Sequence, residues 1–307
     1  MLRATSFGLA FALIAVSWSC SDDDKNSEFD PNTGGSAGAS GQGGSGGTGN
    51  GGTGGSILPQ DGGGSGGTGT RPNTPVQVII TADNAYGFGY GTGTALLNYF
   101  GGIENPNSED IFACPVRQVG NDAGTGIFGP EAYEVPATDA NVGNYLYIIG
   151  YADKSTTQGV IAKFSREGAA PVYTGMGPWQ ACATGLDYDL NQNPKGPTRQ
   201  VIDQYIVRCN SGDLPEGTSS KGWVTTTQSA NGSVAFGEDN STERDAVTPQ
   251  NPFKIACDIE PSARWMWYDW DPVADQSPFM WPGGSANTAR EFIIFRLGAE
   301  FIPEPPE

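Results

Sequence analysis

The sequence predicts an all-β domain, a sandwich or a barrel, over everything after residue 74. Three observations carry that reading. Short β-branched and aromatic runs recur, each bounded by Gly, Pro, Asn or Asp. Helical periodicity is scarce. An even set of cysteines, Cys114, Cys182, Cys209 and Cys257, falls in the same region.

In chain order the strand candidates are 76–82 (VQVIITA), 144–151 (NYLYIIGY), 159–164 (GVIAKF) and 200–208 (QVIDQYIVR). They continue with 222–227, 233–236, 253–257, 264–268 and 290–297. Many short strands with turn residues between them are the signature of a sandwich or barrel. One short turn of helix is expected near 94–100 (TALLNYF).

The first 20 residues differ in kind. Arg3 precedes an apolar run at 7–16 that is too short to span a bilayer, and small residues follow. This is the layout of a signal peptide. The segment ends in Ser17-Trp18-Ser19-Cys20 and resembles the lipobox of bacterial lipoproteins, in which a small residue precedes the cysteine that receives the lipid. Ser19 and Cys20 fit, while Ser17 stands where Leu is usual. The resemblance implies lipidation at Cys20, a membrane anchor of two or three acyl chains, and a place in the cell envelope or on the cell surface, facing outward.

Residues 33–70 are almost wholly Gly, Ser, Thr, Ala, Asn and Gln. Such a composition cannot bury apolar surface and is expected to be a disordered tether. About 38 residues of this kind have an r.m.s. span of roughly 35 Å. The glycines cannot be a phosphate loop, because no strand precedes them and no Lys-Ser/Thr closes them. The expected organisation is a signal peptide at 1–20, a linker at 21–74 and one β-sandwich at 75–307. Its roughly 235 residues are enough for a sizeable core.

Export makes disulfides the expected state of the four later cysteines. Three pairings are open. Cys182–Cys209, flanking a loop and a strand, is favoured, with Cys114–Cys257 closing the longer loop.

Absences narrow the function. There is no histidine, which removes Ser-His-Asp and Cys-His nucleophile systems and the usual zinc sites. The net charge of −18 repels phosphate backbones, so nucleic acid is not an expected partner.

Three segments lie in a suggestive order: IITADNAYGFG at 79–89, NYLYIIGYADKSTTQGVIAKF at 144–164, and PSARWMWYDW at 261–270 followed by REFIIFRL at 290–297. Together they resemble the galactose-binding-domain-like jelly roll. Thr81, Ala82, Asp83, Asn84 and Tyr86 match its first element; Leu146, Ile148, Gly159, Ile161 and Ala162 its second; Ala263, Trp265 and Trp267 its third. In place of the usual Asn-Gly hairpin stands GYGTG at 89–93. The resemblance implies a jelly-roll sandwich that binds carbohydrate or a cell surface.

Candidate ligand residues follow from that. Asp83, Asn84 and Tyr86 sit just after the first strand; Asp and Asn there also serve as turn caps. Trp179, Trp223 and Trp281 lie beside Gly or Pro in expected loops, where an indole can stack on a sugar. Alternation puts Trp265 and Trp267 on one strand face and Met266 and Tyr268 on the other, so that strand either stacks on a sugar or is buried on both sides. No cofactor is required. Residues 187–193 (DYDLNQN) resemble the start of a calcium loop, but Gln192 and Thr198 rule out an EF-hand, leaving an irregular Ca²⁺ site open beside a plain solvated loop.

The function expected is a tethered binding protein, not an enzyme, whose partner is an extracellular glycan. The alternatives are an adhesive lipoprotein that contacts surface proteins and a carboxylate-dependent glycoside hydrolase. The hydrolase needs two facing acids, and only Asp271 and Glu291 near the aromatics suggest themselves.

Overall fold

The computed structural model describes residues 73–306 apart from 84, 105–109, 115, 119–128, 152–156, 187–195, 218, 242–252, 271–276 and 281–291. All of these belong to the compact unit Gly67–Glu307. The expected signal peptide, Cys20 and most of the expected linker lie outside the described residues.

The strands are β1 (Val76–Asp83), β2 (Ala85–Gly91), β3 (Leu96–Glu104), β4 (Arg117–Gln118), β5 (Glu131–Val135) and β6 (Tyr145–Tyr151). They continue with β7 (Gly159–Ser165), β8 (Val172–Tyr173), β9 (Gln180–Ala183), β10 (Ser233–Asp239), β11 (Arg264–Asp269) and β12 (Phe292–Gly298), and one helix, α1 (Arg199–Ser211), interrupts them. A seven-stranded sheet runs β10-β11-β7-β1-β5-β4, with β8 also on β7; a five-stranded sheet runs β3-β2-β6-β12-β9. All pairs are antiparallel except the short β4–β5 pair. The chain is therefore an all-β sandwich, as the punctuated strand pattern predicts.

Period-two alternation builds the core. Val76, Val78, Ile80 and Ala82 of β1 point inward and meet Tyr86 and Phe88 of β2, Ile148 of β6 and Phe295 of β12 in one apolar cluster. β11 is buried on both faces: Trp265, Met266, Trp267 and Tyr268 are all at most 2% exposed. Burying such large aromatic side chains adds to the aliphatic burial that closes the sandwich.

The segment 200–208, expected as a strand, is the heart of α1. Its β-branched residues suggested strand, but the spacing of its buried side chains, Ile202, Ile206 and Cys209, is helical. Thr198 caps the N-terminus by accepting from Val201 N, and Gly212 ends the helix in the left-handed conformation with φ 71°. Helix α1 covers the outer face of the five-stranded sheet, packing Ile202 and Ile206 on Ile149, Tyr151, Phe292 and Ile294. It also covers the edge of β3: Asp203 accepts from Leu96 N at 2.7 Å, and Arg199 donates to the Leu96 and Leu97 carbonyls. An uncovered edge would be open to pairing with another chain.

Residues 94–100, expected to turn as helix, instead lead into β3, where Phe100 stacks on Phe88 of β2 at 6.4 Å. The expected strands at 222–227 and 253–257 do not form. Val224 makes only a single bridge to Ala181, and 253–257 is irregular. Both predicted pairings of cysteine are present: Cys114–Cys257, and Cys182–Cys209 which ties β9 to α1.

Arg166, 3% exposed, gathers the two ends of the sandwich. It donates to the carbonyls of Thr74, Ala140 and Ile302 and pairs with Glu304 at 3.0 Å. Glu304 in turn accepts from Thr74 Oγ1 at 2.7 Å. No helix among the described residues is long and apolar enough to cross a membrane.

Candidate functional site

The outer face of the seven-stranded sheet carries an open depression of about 450 Å³ bordered by Ile79, Lys163, Asp258, Ile259 and Glu260. Register builds its floor: Ile79 of β1 lies opposite Lys163 of β7, and Lys163 lies opposite Tyr173 of β8. Its wall is the loop that follows Cys257. Two devices hold that loop. One is the Cys114–Cys257 bond. The other is Asn240, fully buried, which donates to Ala256 O at 2.9 Å and Ile259 O at 2.6 Å and accepts from Ala256 N at 2.7 Å. Asp258 within the loop has φ 56°, the left-handed region that Asp tolerates better than most residues.

Across the depression Lys163 Nζ donates to Glu260 Oε1 at 2.6 Å. The other oxygen of Glu260, Oε2, has no hydrogen-bond partner among the described residues. The Tyr173 phenol is pushed above its ordinary pKa by burial, with the charge of Glu260 adding to the shift. Two aliphatic side chains, an ion pair and a second carboxylate thus face one open space. This set can make apolar contact and exchange hydrogen bonds with hydroxyls.

The residues singled out in the sequence fall elsewhere. Asp83 ends β1, is 6% exposed, and accepts from Thr157 Oγ1, so it anchors a turn. Tyr86 is wholly buried between the sheets. Its hydroxyl donates to Glu131 Oε2 at 2.7 Å and lies 2.6 Å from Tyr133 Oη. Burial first, and Glu131 second, hold the Tyr86 phenol well above its ordinary pKa.

Trp179 is not an exposed loop indole: it is fully buried, donating from Nε1 to Tyr173 O at 3.3 Å with its ring 5.5 Å from that of Phe164. Gly175 and Gly177, both at positive φ, fold its segment back onto the core. Trp265 is likewise no sugar platform, since it stacks on Phe253 at 3.9 Å inside the sandwich. Asn84, Trp281, Asp271, Glu291 and the 187–193 loop lie outside the described residues.

Trp223 is half-buried and belongs to a second cluster, on the outer face of the five-stranded sheet. The Arg296 guanidinium lies 3.7 Å from the Trp223 ring and 4.5 Å from the Tyr145 ring. Arg296 Nε donates to Gln180 Oε1 at 2.8 Å and Nη1 to Asn210 Oδ1 at 3.3 Å; Trp223 Nε1 also donates to Asn210 Oδ1, at 2.8 Å. Burial lowers the guanidinium pKa, and Tyr147 and Tyr145 oppose that shift. The neighbouring Tyr147 phenol is raised to about 12 by burial, with Arg296 pulling the other way. Trp223 therefore sits on this sheet while Asp83 sits on the other, and the two do not form one site.

Sequence reasoning named Trp223 of the second cluster but missed Arg296, and it missed the Lys163–Glu260 cluster entirely. The signals available for these were Lys163 and Arg296 themselves, each a charge inside an otherwise apolar strand run. Among the described residues no group of three or more His, Cys, Asp or Glu side chains could hold a metal. Compared with known proteins, the chain matches no protein family, no curated protein and no solved structure.

Proposed function

We propose that this chain is an exported lipoprotein, anchored through Cys20, whose sandwich binds a glycan at the Lys163–Glu260 depression. The N-terminal apolar segment ending in Ser19-Cys20, followed by a Gly-rich spacer, supports export and anchoring. Two cystines in the sandwich fit an oxidising compartment. The chain crosses repeatedly between the sheets, β5 to β6 to β7 and β8 to β9 to β10, which supports a jelly-roll type of sandwich.

One observation carries the ligand class: an open space bordered by Ile79 and Ile259 as well as by Lys163, Asp258 and Glu260. Sugars offer the matching surface, apolar C–H faces edged with hydroxyls that both donate and accept. The reading is binding without catalysis, with no cofactor.

The test is a panel of extracellular and cell-wall polysaccharides presented to the purified full-length chain. Retention of at least one glycan, weakened about tenfold or more by Lys163→Ala or Glu260→Ala, is the expected result. Lys163 and Glu260 are both partly exposed, so these variants are expected to fold. A blank panel, or retention unchanged in both variants, rejects the reading.

A further inference from the structure

We infer that the glycan taken at the Lys163–Glu260 depression is built from amino sugars whose amines are free and charged. The inference rests on the glycan reading and adds to it the charge of the ligand. The border of the depression holds one base and two acids, Lys163 against Asp258 and Glu260. The base is already engaged, since Lys163 Nζ lies 2.6 Å from Glu260 Oε1. Asp258 is exposed, and no Lys or Arg among the described residues pairs with it. Glu260 Oε2 likewise takes no hydrogen bond among those residues. The depression therefore presents acceptors and a net negative charge, within a chain of net charge −18. A field of this sign draws a cationic ligand in and discourages an anionic one.

The sheet carries the same face beyond the depression. Alternate residues of β1 share one face, so Gln77 stands about 7 Å along the strand from Ile79. Gln77 lies opposite Glu134 of β5 and donates to its Oε2 at 2.8 Å, and both residues are exposed. Glu134 is thus a third carboxylate on this face, beside the next unit of a bound chain, and its partner is a neutral amide. Ile79 and Ile259 add a second requirement, an apolar ring face, which a bare cation lacks. A chain of amino sugars meets both, with C–H faces for the isoleucines and ammonium groups for the carboxylates.

Calorimetric titration of the full-length chain with three tetramers of the same linkage, built from glucosamine, N-acetylglucosamine or glucose, tests it at mildly acidic pH, where the free sugar amines are charged. The glucosamine tetramer is expected to bind at least tenfold more tightly than either neutral tetramer, and to weaken as salt is added. Asp258→Asn combined with Glu134→Gln removes two exposed charges with little change of shape, and Asn tolerates the φ of 56° at position 258 as Asp does. This double variant is expected to weaken the glucosamine tetramer about fivefold and to leave the neutral tetramers unchanged. Equal or tighter binding of a neutral tetramer overturns this inference and leaves the glycan reading standing. An unchanged affinity in the folded double variant, or no binding by any of the three, also overturns it, and the polysaccharide panel then decides the glycan reading separately.

Discussion

Asn240 organises the loop that walls the proposed glycan depression, so Asn240→Ala perturbs both fold and site. The side chain makes three hydrogen bonds to the backbone of Ala256 and Ile259, residues that are 1% and 5% exposed. The substitution leaves two carbonyls and one N–H without their partner. Each buried orphan costs about 1–3 kcal/mol, partly recovered where water enters the vacated space. A total of about 3–4 kcal/mol follows. For a domain of this size each kcal/mol moves Tm by about 2–4 °C, so Tm falls by roughly 6–16 °C. Urea unfolding with the disulfides intact measures it directly. Cys257 stays tied to Cys114, so the loop loosens rather than leaves. Protein that remains folded should therefore show weaker retention of the proposed glycan. A loss below about 1 kcal/mol would refute the claim that Asn240 is the loop's template.

Further outcomes follow from buried charge and buried phenols. Arg166→Met strands the carbonyls of Thr74, Ala140 and Ile302, each at a cost of about 1–3 kcal/mol where water cannot replace the guanidinium, so a total of a few kcal/mol is expected in the same urea titration; the carboxylate of Glu304 stays solvated. Glu304→Gln leaves the buried guanidinium its carbonyl acceptors but not its carboxylate and costs about 1–3 kcal/mol. At alkaline pH the folded Tyr147 phenol titrates near 12 against an unfolded value of 10, so its contribution is complete below pH 10 and is lost as pH rises towards 12. Two pKa units amount to about 3 kcal/mol. Tyr86 and Tyr133 are shifted in the same direction, so phenolate absorbance from all three should rise together with loss of tertiary structure.

The sandwich was legible where strands alternate cleanly or are apolar throughout: β1, β6, β7, β11 and β12 all fall on expected runs. β2 was not, because Ala85–Gly91 carries three glycines that read as a loop. Packing requires them: a side chain at Gly87 would collide with the Tyr99 ring, and one at Gly89 would meet Asn98 O at 2.8 Å. Helix α1 was misread because Val201, Ile202, Ile206 and Val207 favour strands locally, while the sheet face they cover favours a helix.

The sites were harder to read because their partners are remote. Lys163 meets Glu260 across 97 residues, and Arg296 meets Asn210 across 86. Trp179 resembled an exposed platform because its flanking Gly and Pro mark a turn without saying which way the indole points. Only the burial of the assembled sandwich decides that.

The account's central claim is a division of labour: an acylated start fixes position, a Gly-rich spacer gives reach, and the sandwich meets its ligand outside. Intact-mass analysis of the mature protein from the membrane fraction of producing cells tests it most directly. The account predicts a chain beginning at Cys20 and carrying two or three acyl groups. A chain still beginning at Met1 in the cytosol, or a mature chain with no acyl group, would contradict it.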